Sequence, residues 1–201
     1  MSLGAFHFVL TARWRIFFGT PCTSWPRAIR QPLRSATAPM GLTNLADSQH
    51  ARLKLGNATF AVSCRLIDVS RKMGVPIFLE IPDASLLWLA PRMRSLTRVA
   101  DFAQGRFHQC QFGTSWKKCT RIAAWRGGCL SRLQRWCHAD GKRCSRTGLP
   151  HQELSGRAPG GKHWTAIASA YPPQLCRTIA SLMIDAAESL RSSTPWNSFK
   201  P

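Results

Sequence analysis

Two positions in this chain stand out as able to do covalent chemistry. One is Cys22 in Gly19-Thr20-Pro21-Cys22-Thr23-Ser24-Trp25, and the other is Glu80 in Ile77-Phe78-Leu79-Glu80-Ile81-Pro82. A cysteine attacks as its thiolate, and Arg27 and Arg30 shortly after it favour that form. A carboxylate inside an apolar run is costly unless it is paired or functional. The plainer readings stay open: Cys22 as a small buried apolar residue, and Glu80 as a helix cap or the partner of an arginine. A second set of reactive groups, Cys129, Cys137, His138, Cys144 and His151, lies in a basic region. Zinc takes four Cys or His ligands, often supplied as close pairs. Here Cys137 and His138 are adjacent and no Cys-x-x-Cys occurs, so by spacing zinc is not expected.

The elements that must position these groups follow from hydrophobic patterning. Arg15-Ile16-Phe17-Phe18, closed by Gly19 and Pro21, reads as a short strand that holds Cys22 at the carboxyl edge of a sheet, where open α/β sheets bind ligands. Phe6 to Leu10 also reads as strand. Residues 31–46 are rich in Pro, Ser, Thr, Ala and Gly and form a loop. Asp47 or Ser48 then caps a helix with apolar positions Leu53, Leu55, Phe60, Val62, Leu66, Ile67 and Val69, which Gly74 ends. Val75 to Ile81 suits a buried parallel strand, placing Glu80 on the same sheet edge as Cys22. Ser85 to Ala90 begins a helix that Pro91 interrupts, and Arg92, Arg94 and Arg98 give a basic face. Gly156 to Gly161 is a connector. Pro173 opens a last helix bearing Leu175, Ile179, Leu182, Met183 and Ala186, and 192–201 is a frayed tail.

Further motifs follow in order: Gln109-Cys110-Gln111-Phe112-Gly113, Lys117-Lys118-Cys119-Thr120-Arg121 and Ala170-Tyr171-Pro172-Pro173-Gln174-Leu175-Cys176. With the Pro-Cys loop and the glutamate strand, this order resembles the C5-cytosine DNA methyltransferases, especially divergent relatives in phage and retroelement-like genes. The resemblance runs from roughly residue 15 to 185. It implies an α/β fold, a partial Rossmann-like methyltransferase domain with an irregular basic Cys/Trp-rich region. It implies that Cys22 adds to C6 of cytosine, that Glu80 serves N3, and that S-adenosylmethionine is the methyl donor. Gln111, Lys117, Lys118 and Arg121 match a segment that supports the nucleophile loop and nucleic acid, to which Arg27 and Arg30 also contribute. The sequence departs from the family at Ile81, where Asn is usual. No glycine-rich cofactor loop precedes Cys22. The expectation is therefore a truncated or split enzyme, inactive alone, with a second chain supplying the cofactor-binding half. The expected organisation is 1–103 partial catalytic region, 104–165 basic nucleic-acid-recognition region, 166–191 closing helix of the catalytic domain, and 192–201 tail.

Charge sets the partner class. The chain has 201 residues, with 28 Lys+Arg against 9 Asp+Glu, a net charge of +19 and a pI near 11.1. Such an excess favours a polyanion, because each neutralised phosphate releases condensed counterions. DNA is the expected partner and RNA the alternative. Residues 105–157 hold 11 Lys+Arg and 2 acidic residues, interleaved with Phe107, Phe112, Trp116, Trp125 and Trp136, so phosphate contacts and base stacking share one region; the bland counterpart is a solvated basic face over buried tryptophans. The 8 cysteines are read as mainly reduced. No apolar run is long enough to span a membrane, and none is expected as a partner. Residues 1–46 contain no Asp or Glu, so an organelle transit peptide rivals a nuclear or cytoplasmic location. Two rival readings stand beside the enzyme: a non-catalytic basic nucleic-acid-binding protein, and a decayed retroelement or phage-derived gene product.

Overall fold

A computed structural model of the chain describes residues 15–18, 32–138 and 143–193. Cys22, Arg27, Arg30 and the strand expected at Phe6 to Leu10 lie outside the described residues. The chain divides into two compact units, one made of residues up to 104 together with 122–128, the other of 105–121 together with 129 onward. The segment 122–128 thus belongs with the first unit, and the helix expected to close the catalytic region belongs with the second.

The first unit contains β1 (Arg15–Phe18), α1 (Asp47–Lys72), β2 (Ile77–Pro82), α2 (Pro91–Leu96), the start of β3 (Phe102–His108) and the end of β4 (Cys119–Trp125). The strands are hydrogen-bonded in the order β1-β2-β4-β3. β1 runs parallel to β2, whereas β2, β4 and β3 form an antiparallel set. The protein is therefore α/β with a mixed sheet.

α1 keeps the span that its apolar spacing predicts, yet it buries a different stripe. Leu53, Gly56, Phe60, Ser63, Cys64, Ile67 and Ser70 face inward, while Leu55, Val62 and Val69 are exposed. The buried positions recur three or four residues apart, with Ser63 and Cys64 side by side, so two rows of one face pack and the small residues Gly56, Ser63 and Ser70 let the helix approach closely. The N-terminal cap lies before the expected Asp47 or Ser48, whereas Gly74 ends the helix as expected. Ala46 is the N-cap, and its backbone N–H donates to Gln49 Oε1 at 2.9 Å. At the other end Gly74 adopts φ 69°, Gly74 N–H donates to Arg71 O and Val75 N–H to Ser70 O. That pair of bonds is the glycine-terminated helix end, and glycine is needed because an L side chain is strained at that φ.

The core gathers Phe60, Ile67, Ile77, Leu79, Ile81, Met93, Ala123 and Trp125. Trp125 is fully buried, donates from Nε1 to Leu96 O at 2.7 Å, and meets Phe102 at 5.5 Å between ring centroids. Pro91 does not interrupt a helix. It is the first residue of α2, where its missing N–H costs nothing and its fixed φ favours entry; Leu86–Leu89 is a separate 3-10 turn.

In the second unit, the basic region read as irregular proves to hold the far ends of β3 and β4. Their connection begins with a 3-10 turn at Gln109–Phe112. Gln109 N–H donates to Lys118 O at 3.0 Å. The Gln109 side chain, fully buried, donates to Thr120 Oγ1 at 3.4 Å and accepts from Trp116 Nε1 at 3.0 Å. Pairing these buried polar groups with one another removes the penalty of leaving them unbonded. The short α3 (Trp164–Ile167) leads to α4 (Pro173–Ser193), whose Leu175, Ile179, Leu182 and Ala186 are buried as the periodicity predicts. α4 joins this unit through an ion pair of Arg132 with Asp185 and an Arg132 to Ser181 Oγ bond of 3.0 Å.

Candidate functional site

Two places carry candidate chemistry, one in each unit. In the first, the parallel register pairs Phe18 with Glu80. β1 therefore ends level with Glu80, two residues before the end of β2. Glu80 is only 7% exposed, and its strand neighbours Ile77, Phe78, Leu79 and Ile81 are at or below 2%. The turn after the strand is braced by short-range bonds. Trp88 Nε1 donates to Pro82 O at 3.0 Å, Ser85 N–H to the same oxygen at 2.9 Å, and Leu87 N–H to Ser85 Oγ at 3.4 Å. Ile81, which stands where the resembled family has Asn, is packed in the core. Rigidity at this strand end is thus supplied by Ser85 and Trp88.

The second place is a cluster of Cys110, Cys137, Cys144 and His151, whose sulfur and ring nitrogen atoms all lie within 4.8 Å of one another. Cys110 sits on the 3-10 turn after β3, and Arg146 Nε donates to its carbonyl at 2.6 Å. Cys137 follows Trp136 and donates its N–H to His108 Nδ1 at 2.9 Å. Cys144 and His151 flank a tight loop. Cys144 N–H donates to Leu149 O and Gly148 N–H to Cys144 O, both at 2.8 Å, and Arg143 bridges Pro150. Gly148 closes the loop at φ 69°, a conformation that glycine adopts without strain.

Cys137 Sγ is 3.9 Å from Cys144 Sγ and 3.6 Å from His151 Nε2. Ser145 donates to Cys137 Sγ from its N–H at 3.4 Å and its hydroxyl at 3.6 Å. The Gln111 amide nitrogen lies 3.6 Å from Cys110 Sγ and 3.9 Å from Cys144 Sγ. Three of the four groups are buried, Cys110 fully, and His151 is half-buried. Burial opposes ionisation of Cys137, but the Ser145 donors and the Cys110 and Cys144 thiols outweigh it and lower its pKa below the ordinary thiol value. Cys110 moves the other way, because burial outweighs its Gln111 donor. The cluster therefore favours negative charge on one sulfur with the neighbouring thiols donating toward it.

The remaining expected site residues separate. Gln111 faces the cysteine cluster. Lys117 is exposed and Lys118 is half-buried, with its Nζ 3.4 Å from Ala168 O; Arg121 is half-buried on β4. Of the aromatic residues considered for stacking, Phe107, Phe112 and Trp125 are buried core. Trp116 and Trp136 are half-buried, and Trp136 carries Arg106 over its ring at 5.2 Å and His108 against its edge at 4.8 Å. Cys129 and His138, considered with the metal-ligating types, are exposed and outside the cluster. Cys110 was the member that spacing did not point to; the seven-residue steps from Cys137 to Cys144 to His151 were the available signal. Among the described residues no helix is long and apolar enough to cross a membrane. Compared with models of protein families, with curated proteins and with solved structures, the chain finds no match.

Proposed function

We propose that this chain is a methyltransferase-like nucleic-acid-binding protein that engages cytosine covalently through Cys22, with Glu80 on the pyrimidine N3. The supporting observation is the parallel register that pairs Phe18 with Glu80. Phe18, the last described residue before the Pro-Cys segment, stands level with Glu80, a buried carboxylate-bearing residue near the end of β2. In the reaction the Cys22 sulfur pair forms a bond to C6. The C5–C6 π electrons move through C4 to N3, which takes a proton from the Glu80 carboxyl group, and C5 becomes an enamine carbon. The base must be flipped out or single-stranded for C6 to be reached, and the net charge of +19 supplies affinity for the phosphate backbone.

The described residues do not fit S-adenosylmethionine. No glycine-rich turn among them joins a strand to a helix N-terminus. Gly41, the glycine nearest before α1, lies where a Cβ would fall 2.0 Å from Leu53 Cδ2, so it faces packing and not an open cradle. The proposal therefore stops at the covalent adduct, and any methyl donor is held by groups outside those described, consistent with a split enzyme that works with a second chain.

The test is trapping on single-stranded oligonucleotides. One contains 5-azacytosine, in which the displaced electron pair reaches N3 as in cytosine and N5 can then take a proton; the other contains 5-fluorocytosine with added S-adenosylmethionine. A denaturant-resistant adduct to 5-azacytosine that Cys22→Ala abolishes is the expected result, and an added adduct with 5-fluorocytosine would extend it to methyl transfer. Failure of both traps, with salt-dependent binding that is unchanged in Cys22→Ala, would establish instead the second reading: nucleic-acid binding without covalent chemistry, which the charge alone favours.

A further inference from the structure

We propose that Cys110, Cys137, Cys144 and His151 bind one Zn²⁺ as a closed structural site within the second unit. The inference is independent of the cytosine chemistry. A zinc ion with bonds of about 2.3 Å to sulfur and about 2.0–2.1 Å to nitrogen at tetrahedral angles sets S···S at about 3.8 Å and S···N at about 3.6 Å. The cluster already holds Cys137 and Cys144 sulfurs 3.9 Å apart and Cys137 sulfur 3.6 Å from His151 Nε2. The sulfur separation is far from the about 2.05 Å of a disulfide. Four ligating atoms gathered within 4.8 Å of one another, with two of their separations at coordination spacing, are what separate this cluster from cysteines that merely pack.

The donors around the ligands support the same reading. Thiolate sulfur accepts N–H bonds well, and the Ser145 backbone N–H and the Gln111 amide are both placed on ligand sulfurs. Such surrounding donors hold ligands in orientation and temper the charge on the metal centre. Three thiolates and one neutral imidazole on a divalent ion carry a single net negative charge, which nearby Arg143 and Arg146 complement. Soft sulfur with imidazole in a tetrahedral set selects zinc over magnesium or calcium. With four protein ligands no position is left for water or substrate, so the role is structural.

The site also answers a packing question. From residue 134 to 163 the described chain has no α-helix and no named strand, only isolated bridges at Arg143 with Pro150 and Arg157 with His163. A segment so poor in regular structure cannot bury much apolar area by itself, and a metal that ties Cys137, Cys144 and His151 to Cys110 after β3 supplies the missing cross-link. The basic residues Arg143 and Arg146 ride on that tied segment.

The experiment uses the full chain, purified under reducing conditions. Elemental analysis should find one zinc per chain after gel filtration, and zinc-edge X-ray absorption should show three sulfurs near about 2.3 Å and one nitrogen near about 2.0–2.1 Å. Cobalt added to the metal-stripped chain should give a thiolate-to-metal charge-transfer band with tetrahedral d–d bands. Cys144→Ser should lose stoichiometric zinc, whereas Cys129→Ser should keep it. A parent chain that takes up neither zinc nor cobalt would overturn the proposal. So would an oxygen-rich shell in the absorption spectrum, a Cys137–Cys144 disulfide in the reduced preparation, or zinc loss in Cys129→Ser equal to that in Cys144→Ser. The absorption spectrum of the parent chain decides the matter even if Cys144→Ser fails to fold.

Discussion

Shortening or neutralising Glu80 separates a working carboxylate from a merely buried one. Glu80 lies on β2 with 7% exposure, between Leu79 and Ile81 at 2%, so its position is set by the strand and its carboxyl by the side chain's length. Glu80→Asp withdraws the carboxyl by one C–C bond, about 1.5 Å. A misplacement of about 1 Å at a reacting centre costs about 100-fold. Glu80→Gln keeps length and shape but removes the proton that N3 receives, and loss of a general acid costs about 10²–10⁴-fold, equivalent to about 3–5 kcal/mol of barrier. The assay is the initial rate of 5-azacytosine adduct formation by denaturing gel, paired with urea unfolding of each variant. Trapping reduced at least about 100-fold in both, with the fold retained, is the expected outcome. Parent-like trapping in a folded Glu80→Gln would refute the role of Glu80 and, with it, the meaning assigned to the pairing of Phe18 with Glu80.

Other outcomes follow from the packing. Trp125→Phe orphans the Leu96 carbonyl, at about 1–3 kcal/mol, and leaves a small cavity worth about 1 kcal/mol; chemical denaturation should show a loss of about 2–4 kcal/mol. Gly127→Ala places a Cβ 2.6 Å from Ala124 Cβ and 3.0 Å from the Phe78 ring, so the same assay should show about 1–3 kcal/mol of overpacking cost. The Asp101 carboxyl is held below its ordinary pKa, chiefly by hydrogen bonds from Arg71, against the opposing effect of burial. A lowered folded-state value means the stabilisation is present above the unfolded carboxylate pKa of about 3.9 and is lost as pH falls through the folded value. Arg71→Gln should therefore be less stable than the parent near neutrality, by up to about 1 kcal/mol, and the gap should close in acid unfolding titrations. Gln111→Leu removes a donor to two ligand sulfurs and should weaken zinc affinity about 10–100-fold in chelator competition.

Parts of both units were legible in the residues. Gly74 at the end of α1, the apolar run of β2 and Pro173 at the start of α4 are local signals, because helix ends and buried strands are governed by backbone freedom and by unbroken apolar sequence. Spacing also marked α1 as a helix, but which side of it is buried was beyond it. Leu55, Val62 and Val69 are exposed while Gly56, Ser63 and Ser70 are covered, since a close-packed face selects small residues as readily as large ones. Pro91 shows the same limit: whether a proline ends one helix or begins the next depends on what its neighbours pack against.

β3 was hard to read because Gln104 and Arg106 alternate with Gly105 and Phe107 in too short a pattern, and β4 because it also pairs with β2, distant in sequence. The metal-ligating residues were all visible as types, and three of them at even spacing. What the sequence by itself determined was the inventory: a strongly basic chain, eight cysteines, a Pro-Cys pair and a glutamate in an apolar run. Only the tertiary structure decided which of these meet. A coordination site is a statement about distances between side chains, and Cys110 reaches Cys137 through a strand pair and a turn whose geometry no local spacing encodes.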